Sequence, residues 1–544
     1  MKILEPEFNS RRSPVYGRRG IVAASQPLAV AAGLKILEQG GNAADAAVAT
    51  AAGLNVTEPA STGLGGDCFA LFYDARTHQI SALNGSGRSP RALTLERVHQ
   101  AGFTERLPPY HPYNVTVPGT CAGWCDLVEK FGRLSLTKTL APAIQLAEEG
   151  FPVSPLTAYS WQEAARTQLR ESLNGSEMTI DGHGPQAGEI FRNPGLARAL
   201  RAVAEGGKKA FYEGAIAEAV VAILSEAGGC MDLRDLAEHY STWEQPISVT
   251  YHDLRIWECP PNGQGIATLL ALNLLEGFDL AALAPLSAAR LHLEIEAMRL
   301  AFADTRYYVA DPARVPVPVK ALLDKDYARQ RRELIDPLRA NPQVTYGVPH
   351  ASSDTVYLSV VDGEGNACSF INSNSASFGT GIVPRGWGFV LQNRGYNFSL
   401  DPNAPNVLAP GKRSYHTIIP AMATYAENDA LYASFGVMGG FMQPQGHLQV
   451  VIAMLEDGFD PQTALDLPRF CIEAERMVGP VALEDGIAFQ TMAALADMGH
   501  KVRPLSGWGR GLFGRGQIIR RDPVTGVLCA GSDPRADGCA MSLV

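Results

Sequence analysis

The passage from a linker into a hairpin at residues 339–373 constrains the fold of this chain more than any other stretch. The segment RANPQVTYGVPHASSD, residues 339–354, holds two prolines, a glycine and small polar residues near its end, and its lack of periodicity is typical of a linker. The residues that follow, TVYLSVVDGEGNACSFINS, predict two strands around an Asp-Gly-Glu-Gly-Asn turn. The chain is thus divided at Asp354-Thr355, where a loose segment meets a rigid strand.

The dipeptide Asp354-Thr355 suggests a bond that the chain itself can cut. A hydroxyl is a poor nucleophile unless a base removes its proton. An N-terminal threonine carries its own base, because its free α-amino group has a reference pKa of about 7.7–8.0. The Thr355 hydroxyl would attack the Asp354 carbonyl, form an ester, and release two chains after hydrolysis. The alternative is that Asp-Thr simply starts a strand, and the dipeptide alone does not decide between them.

Three further stretches combine glycine with small polar residues. SFGVMGGFMQPQGH places Gly439 and Gly440 between a strand and a helix start, where backbone N–H groups could hold an oxyanion. SNSASFGTGI, residues 373–382, ends the second strand of the hairpin, so Ser373 could donate a hydrogen bond to the Thr355 oxygen and Ser375 would lie close by. STGLGGD, residues 61–67, would permit close backbone approach. Each stretch has a simpler interpretation as an ordinary turn or polar strand end.

The remaining patterns alternate between helix and strand. A short strand at GIVAASQ precedes two Ala-rich helices, one with Pro27 near its start and one with Asn42 as its N-cap. CFALFYDARTHQISAL predicts a hairpin, residues 118–240 are mostly helical, and ISVTYHDLRIWECPP predicts two more strands. GRGLFG, residues 509–514, matches a dinucleotide-binding glycine pattern weakly and is interpreted as a loop, because no helix pattern follows it.

Composition excludes several classes of function. The net charge is −10 and no Lys/Arg block occurs, so we expect no nucleic-acid partner. The opening residues lack an apolar h-region and the apolar runs are too short to span a bilayer, so no membrane partner is expected. The nine cysteines include no zinc-type pair, which favours reduced thiols in the cytoplasm. Phosphate-loop and zinc-protease motifs are also missing, and we expect neither a cofactor nor a metal.

The order of these motifs resembles the γ-glutamyltranspeptidase family of N-terminal nucleophile hydrolases. GGNAADAAVATAAGLNVTEPASTGLGG looks like the early signature of that family, and DTVYLSVVDGEGNACSF looks like its processing-site threonine and the strand after it. SFGTGIV, PGKRSYHTIIP and GVMGG then follow in the order of its Phe-Gly segment, substrate loop and oxyanion glycines. The similarity runs from about Gly20 to Gly538.

The resemblance implies an α/β fold, the four-layer αββα sandwich of N-terminal nucleophile hydrolases. It implies one intertwined unit cut into a large subunit, residues 1–354, and a small subunit, residues 355–544, which become each other's partners. Thr355 would be the nucleophile, Ser373 would stand where a second threonine assists it, and Gly439 and Gly440 would form the oxyanion hole. The resemblance is compatible with a homodimer of processed heterodimers.

The departures from the family pattern concern substrate charge. The transpeptidases bind the glutamyl α-carboxylate with an arginine, where LNGSGRSP has Ser86 and places Arg88 two residues later. The aspartate that pairs with the α-amino group is Asn397 in QNRGYNFS, which also supplies Arg394. A cationic α-amino group would lose a charge-assisted contact worth roughly 1.5–3 kcal/mol.

Two further departures from the family pattern concern the substrate loop and the lid. The paired serines of the family become His416 and Thr417, and only fourteen residues separate Phe398 from Arg413, which indicates a short lid. These features resemble the amidohydrolase branch of the family, which includes oxamate amidohydrolase and cephalosporin acylases. The predicted substrate contacts are Ser375, Arg394, Asn397, His416, Thr417 and Arg88.

Three functions follow as hypotheses. The first is a self-processing amidohydrolase that acts on a small amide bearing a carboxylate, such as oxamate or a related acyl amide. The second is a γ-glutamyl hydrolase or transferase that acts on glutathione-like substrates through rearranged contacts. The third is a processed but inactive binding scaffold, against which the joint presence of Thr355, Ser373 and the glycine pair argues.

Overall fold

The computed structural model describes residues 12–342, 344, 354–473 and 479–544, except for the side chain of Asp354. The strands are β1 (Val15–Gly17), β2 (Gly20–Ala24), β3 (Asp67–Asp74), β4 (Gln79–Gly85), β5 (Phe151–Pro152), β6 (Ile190–Phe191), β7 (Thr242–Glu244), β8 (Ile247–Tyr251), β9 (Leu254–Glu258), β10 (Asp354–Asp362), β11 (Ala367–Ser375), β12 (Ala421–Tyr425), β13 (Leu431–Met438), β14 (Phe470–Ile472), β15 (Val481–Glu484), β16 (Val502–Leu505), β17 (Arg515–Arg521), β18 (Leu528–Ser532) and β19 (Cys539–Ser542).

The helices are α1 (Pro27–Glu38), α2 (Ala43–Thr57), α3 (Leu95–Gln100), α4 (Thr120–Phe131), α5 (Leu136–Glu149), α6 (Pro155–Arg166), α7 (Gln168–Glu171), α8 (Pro194–Tyr212), α9 (Ala215–Glu226), α10 (Leu233–Ala237), α11 (Ile266–Leu275), α12 (Ala288–Tyr308), α13 (Val319–Leu322), α14 (Lys325–Arg332), α15 (Met442–Leu455), α16 (Pro461–Asp466) and α17 (Phe489–Asp497). Short 3₁₀ turns lie at Pro112–Asn114, Gly175–Met178, Leu280–Ala282, Arg394–Asn397 and Gly507–Phe513.

Two seven-stranded antiparallel sheets form the centre of the molecule. One, the β10 sheet, has the order β19-β2-β10-β11-β3-β4-β7, and the other, the β13 sheet, has the order β1-β18-β17-β13-β12-β9-β8. They stack face to face, since the Ser359 hydroxyl of β10 donates to the Ser434 hydroxyl of β13 at 2.6 Å. One apolar core joins the β10 sheet to α1, α2, α4, α5 and α8, and a second joins the β13 sheet to α11, α12, α15 and α17. The result is the four-layer αββα sandwich that the sequence predicts.

Helix α2 shows why the early sequence is so rich in alanine. All of its residues are buried, because α1, α4, α5 and strands β10 and β11 pack around it. Small side chains allow neighbouring backbones to approach from every side of such a helix. The helix begins with a capping box in which the Asn42 side chain accepts from the N–H of Asp45, and the Asp45 carboxylate accepts from the N–H of Asn42. The predicted N-cap is therefore confirmed.

The hairpin at the centre of the β10 sheet is also confirmed. Strands β10 and β11 pair from Val361↔Ala367 to Asp354↔Ser375, and the register shifts between Asp354 and Val356. This irregularity falls at Thr355, and such bulges commonly re-aim side chains next to functional sites. β10 also pairs with β2, and β11 pairs with β3, so both strands of the hairpin are interior strands.

The other predicted elements agree with the structure, with one difference. The first strand, the β3–β4 hairpin, the helical region up to residue 240, and the strands β8 and β9 are all present. GRGLFG is largely a 3₁₀ turn, Gly507–Phe513, rather than an irregular loop. Most of the linker predicted for residues 339–354 lies outside the described residues, and its first part, 339–342, contains no helix or strand.

The described part of the chain also shows the state of the cysteines, the arrangement of possible metal ligands and the length of the apolar helices. All nine cysteines are unpaired. Within the residues described, no group of His, Cys, Asp and Glu side chains is arranged to hold a metal ion. No helix in the same ranges is long and apolar enough to cross a bilayer.

Candidate active site

Thr355 lies at the entry to β10, completely buried, with its hydroxyl in contact with Ser373 of β11. Thr355 Oγ1 donates to Ser373 Oγ over 3.2 Å. The Ser373 oxygen also accepts from the backbone N–H of Ser375 at 2.9 Å and from Arg394 Nη2 at 3.1 Å. The two hydroxyls are therefore adjacent as predicted, but in this pair the Thr355 hydroxyl is the donor and Ser373 is the acceptor.

Arg394 is a buried cation next to this pair. It begins the 3₁₀ turn Arg394–Asn397, its side chain is 1% exposed, and its Nη1 donates to Thr417 Oγ1 at 2.7 Å. Its Nε lies 4.0 Å from Asp67 Oδ2. Burial lowers the pKa of Arg394 to about 10 and the charge of Asp67 opposes that shift, so the guanidinium is charged at neutral pH. The positive charge of Arg394 is therefore separated from Thr355 by one hydroxyl group, that of Ser373.

His416 is held in its neutral form. Its Nε2–H donates to Asp67 Oδ2 at 3.1 Å, and its Nδ1 accepts from the N–H of Ile418 at 3.3 Å. Its ring packs edge-on against Phe69. Burial, followed by the nearby charge of Arg394, lowers the pKa of His416 to about 3. Both ring nitrogens are hydrogen-bonded, so His416 fixes the positions of the Asp67 carboxylate and the Ile418 backbone.

Asp67 is a residue that sequence analysis did not single out. It is the first residue of β3, is fully buried, and pairs in register with Ser373. Its Oδ1 accepts from the N–H groups of Gly87 at 3.0 Å and Gly119 at 3.2 Å. The signal for Asp67 in the sequence was its position as the acidic residue that ends STGLGGD, directly before the strand pattern CFALFYD.

Arg413 is a second such residue. It lies in PGKRSYHTIIP, is 4% exposed, and its Nε donates to the carbonyl of Ser86 at 3.1 Å. Its Nη1 contacts Thr242 Oγ1 at 3.0 Å, and Glu244 lies 3.5 Å away. Burial lowers the pKa of Arg413 to about 10. An arginine thus does approach Ser86, but it comes from the loop before His416 rather than from Arg88.

Two predicted contact residues point elsewhere. The Arg88 guanidinium lies over the ring of Tyr240, 4.2 Å from its centroid, and donates to the Tyr240 carbonyl. The Asn397 side chain donates to the carbonyl of Tyr415 at 3.1 Å and so ties together the two ends of the short lid segment, residues 398–413. Neither side chain contacts Thr355 or Ser373 in the residues that the structure describes.

The glycine pair forms the turn between β13 and α15. The backbone angle φ is +132° at Gly439 and +59° at Gly440, values that residues with a side chain rarely adopt. A Cβ on Gly439 would also lie 3.1 Å from the Cα of Gly514. Gln264 Nε2 donates both to the Gly440 carbonyl at 2.9 Å and to the Thr417 carbonyl at 2.7 Å. One amide therefore joins the glycine turn to the residue that Arg394 contacts.

The STGLGGD loop passes directly beside the second strand of the hairpin. A Cβ on Gly66 would lie 2.4 Å from the Ser373 carbonyl oxygen, so a larger residue would push β11 away. The N–H of Asn374 donates to the Ser61 carbonyl at 3.1 Å. This contact shows the close backbone approach that the glycines of the loop predict.

Taken together, the two stacked sheets between helical layers and the polar cluster at a central strand define an αββα hydrolase of the N-terminal nucleophile class. The profile of the family described as Gamma-glutamyltranspeptidase matches residues 29–543. The chain belongs to the γ-glutamyltranspeptidase family, and it is an enzyme of the N-terminal nucleophile amidohydrolase type.

Relatives named for different activities resemble the chain over nearly its whole length. A glutathione hydrolase-like proenzyme of Bacillus subtilis is 36% identical over 532 residues, which cover 97% of this chain and 99% of the relative. The oxamate amidohydrolase proenzyme of Klebsiella pneumoniae is 33% identical and covers 96% and 98% of the two chains. The crystal structure of a cephalosporin acylase from Bacillus halodurans superposes with a TM-score of 0.91 at 44% identity, covering 100% of this chain and 99% of the acylase.

Proposed function

We propose that this enzyme is a self-processing amidohydrolase that cleaves the amide of a compact acyl group carrying a carboxylate, through an acyl ester on Thr355. The observation that carries the proposal is the buried Arg394, which bonds to Ser373 Oγ, the acceptor of the Thr355 hydroxyl. The names of the Klebsiella oxamate amidohydrolase and the Bacillus halodurans cephalosporin acylase support an amide substrate.

Processing would start with attack of Thr355 Oγ1 on the Asp354 carbonyl carbon. The peptide C–N bond breaks as the C–O bond of an ester forms, and the hydroxyl proton ends on the freed nitrogen. Water then hydrolyses the ester and releases the hydroxyl. The products are a large subunit, residues 1–354, and a small subunit, residues 355–544, whose first residue is Thr355. The Bacillus subtilis and Klebsiella pneumoniae relatives carry the word proenzyme in their names, which supports such a step.

In turnover the freed α-amino group of Thr355 takes the proton from Oγ1. The oxygen attacks the substrate carbonyl, and the N–H groups of Gly439 and Gly440 stabilise the oxyanion of the tetrahedral intermediate. The intermediate collapses to an acyl ester as the ammonium returns its proton to the leaving amine. Water, activated by the same amino group, hydrolyses the ester. His416 takes no proton in this scheme, because its pKa is lowered to about 3 and its Nδ1 lone pair already accepts from the N–H of Ile418.

Charge near the nucleophile favours an acidic acyl group. The two terminal nitrogens of Arg394 bond to neutral hydroxyls, so among the side chains described its charge is balanced by Asp67 at 4.0 Å. Arg413 adds a second buried cation to the neighbouring loop. The position where the transpeptidases have an aspartate for the substrate amine holds Asn397. A carboxylate therefore meets cations, whereas a free amine meets no uncommitted acid among the side chains described around Thr355.

The competing function is hydrolysis of γ-glutamyl compounds, favoured by the name of the glutathione hydrolase-like relative from Bacillus subtilis. It would need an acid for the α-amino group of the substrate. Asp67 is the carboxylate nearest to Arg394, but its oxygens already accept from Gly87, Gly119 and His416. The inactive-scaffold hypothesis has no contact in its favour.

The test compares oxamate and the p-nitroanilides of glutaryl and γ-glutamyl groups, with Arg394→Ala and, as a control, Arg385→Ala. Arg385 is an exposed arginine paired with Glu226, so its loss should change nothing. The unmodified enzyme should prefer the glutaryl over the γ-glutamyl amide, and Arg394→Ala should raise KM for the acidic amide more than it lowers kcat. Equal rates on the two anilides, together with no loss in Arg394→Ala, would overturn the proposal.

A further inference from the structure

The Asp67 carboxylate is the point at which four distant segments meet. It receives N–H groups from the loop after β4 and from the start of α4, at Gly87 and Gly119, and ring N–H from His416. Arg394 approaches it from the 3₁₀ turn. Since Asp67 and Ser373 are register partners on adjacent antiparallel strands, their side chains lie on the same face of the β10 sheet.

The Asp67 charge is available to Arg394. A buried guanidinium whose other partners are neutral hydroxyls is costly unless a counter-charge is close. His416 does not consume that charge, since burial keeps its imidazole neutral, with a pKa of about 3. Glu244, which approaches Arg413, has a pKa raised by burial and does not face Arg394 in any contact described. Asp67 is thus the carboxylate that balances Arg394.

The geometry points to Asp67 as a positioning and specificity-determining residue that acts through Arg394. Its carboxylate lies 4.0 Å from Nε of Arg394, an ion-pair distance rather than a hydrogen bond, while Nη1 and Nη2 donate to Thr417 and Ser373. Asp67 thereby sets where the positive charge meets an acyl carboxylate and how strong that charge is. This inference rests on the proposed function, because it specifies how the same site distinguishes acidic from neutral acyl groups.

The consequence is a prediction about selectivity. In Asp67→Asn the amide oxygen can still accept from Gly87 and Gly119, but an NH₂ group then faces Arg394 and the His416 N–H. The guanidinium would lose its counter-charge and turn from its two hydroxyl partners. Cleavage of an acidic amide should therefore suffer more than cleavage of a neutral amide of the same length.

The experiment measures kcat/KM for glutaryl and valeryl p-nitroanilides, which have acyl chains of equal length with and without the carboxylate. Asp67→Asn should reduce the glutaryl-to-valeryl ratio by about tenfold, as expected for residues coupled in one network. In an Arg394→Gln background the same change should have little further effect on the ratio. Asp67→Glu, which keeps the charge, should preserve most of the ratio even if overall activity falls.

Asp45→Asn is the matched control, because Asp45 is also fully buried and accepts the backbone N–H groups of Asn42 and Arg133. It should weaken folding but leave the substrate ratio unchanged. The ratio does not depend on the fraction of folded enzyme, and masses establish that each variant is cut.

Equal losses on the two anilides in Asp67→Asn, or the full loss repeated in the Arg394→Gln background, would overturn the inference. If the unmodified enzyme instead prefers γ-glutamyl anilide, the proposed substrate class fails separately. The Asp67–Arg394 cycle run on that substrate then decides the inference: coupling supports it, and additivity overturns it.

Discussion

At the scale of single residues, the described surroundings of the Thr355 hydroxyl contain no strong base. Its partner Ser373 is a hydroxyl that already accepts from Arg394 and Ser375. The imidazole of His416 is bonded through both nitrogens to Asp67 and Ile418. In the proposed turnover the proton of Thr355 therefore goes to its own α-amino group, which becomes free only after processing.

The first residue-scale prediction concerns processing. Thr355→Ala removes the attacking oxygen, so the purified protein should remain one chain of 58.2 kDa. Thr355→Ser keeps a hydroxyl and should still be cut, which makes it the control. Intact-mass measurement on both variants checks this, and cleavage between residues 354 and 355 in Thr355→Ala would show that the chain is not cut by its own threonine.

The second residue-scale prediction concerns His416 and pH. Because the pKa of His416 is lowered to about 3, the ring stays neutral at every pH above that value and adds no titration near pH 6.5. The pH dependence of kcat/KM should show one acidic limb, near the α-amino reference pKa of about 7.7–8.0, below which the protonated amine cannot act as a base.

His416→Gln should accordingly still be processed, with a larger effect on KM than on cleavage, because Asp67 and Arg394 lose part of their support. A rate profile of this variant, measured beside that of the unmodified enzyme, should keep the same acidic limb. An uncut His416→Gln chain would contradict the assignment.

At the scale of elements, the turn between β13 and α15 carries the two backbone N–H groups that we propose to stabilise the oxyanion. Gly439 packs on Gly514, and Arg469 holds that second segment by donating to the carbonyl of Phe513 at 2.9 Å and to Asp533 at 2.8 Å. The turn is therefore supported from the β17 side by a buried ion pair, and from the other side by Gln264.

This support yields an element-scale prediction. Gly439→Ala should reduce kcat by about 10²-fold, the size seen when one oxyanion donor is displaced. Gly458→Ala is the control, since Gly458 also has a positive φ, +69°, but a Cβ there meets nothing within 4 Å. Measuring kcat and thermal stability for both variants distinguishes a loss caused by backbone strain from a loss of oxyanion stabilisation. Similar kcat values in both would remove the glycine turn from the mechanism.

At the scale of the whole molecule, the two proposed subunits are interleaved in both sheets. In the β10 sheet, β11 and all of β10 after its first residue, Asp354, come from residues 355–544 and lie between β2 and β3 from residues 1–354. In the β13 sheet, β12 pairs with β9 and β18 pairs with β1, which again joins the two segments. Cutting at residue 354 leaves all of these ladders intact.

The corresponding prediction is that the processed enzyme behaves as one particle. Native mass spectrometry should show the two pieces together, whereas a denaturing gel should show two bands. The same native spectrum tests the expected homodimer of processed heterodimers, which would double the particle mass. Separation of the pieces without denaturant would contradict an intertwined unit.

Local sequence patterns were sufficient for much of this architecture. The capping box at Asn42, the hairpin around Asp362 and the position of Thr355 depend on neighbours a few residues apart, and periodicity and turn chemistry report on such neighbours. The order of the motifs then identified the family, because few chains place those motifs in that order.

Only the tertiary structure decided which charges surround Thr355. His416 and Asp67 are 349 positions apart in the chain, and Arg413 reaches Ser86 across 327 positions. No local pattern specifies such partners, because they depend on the register of β3 against β11 and on where the loops close over the sheet. The sequence therefore determined the strand that starts at Asp354-Thr355 and, through the family resemblance, the fold class. Packing determined that Asp67 lies beside Arg394 and His416, that Arg413 reaches Ser86 and that Arg88 faces Tyr240, since burial pairs charges according to space rather than chain order.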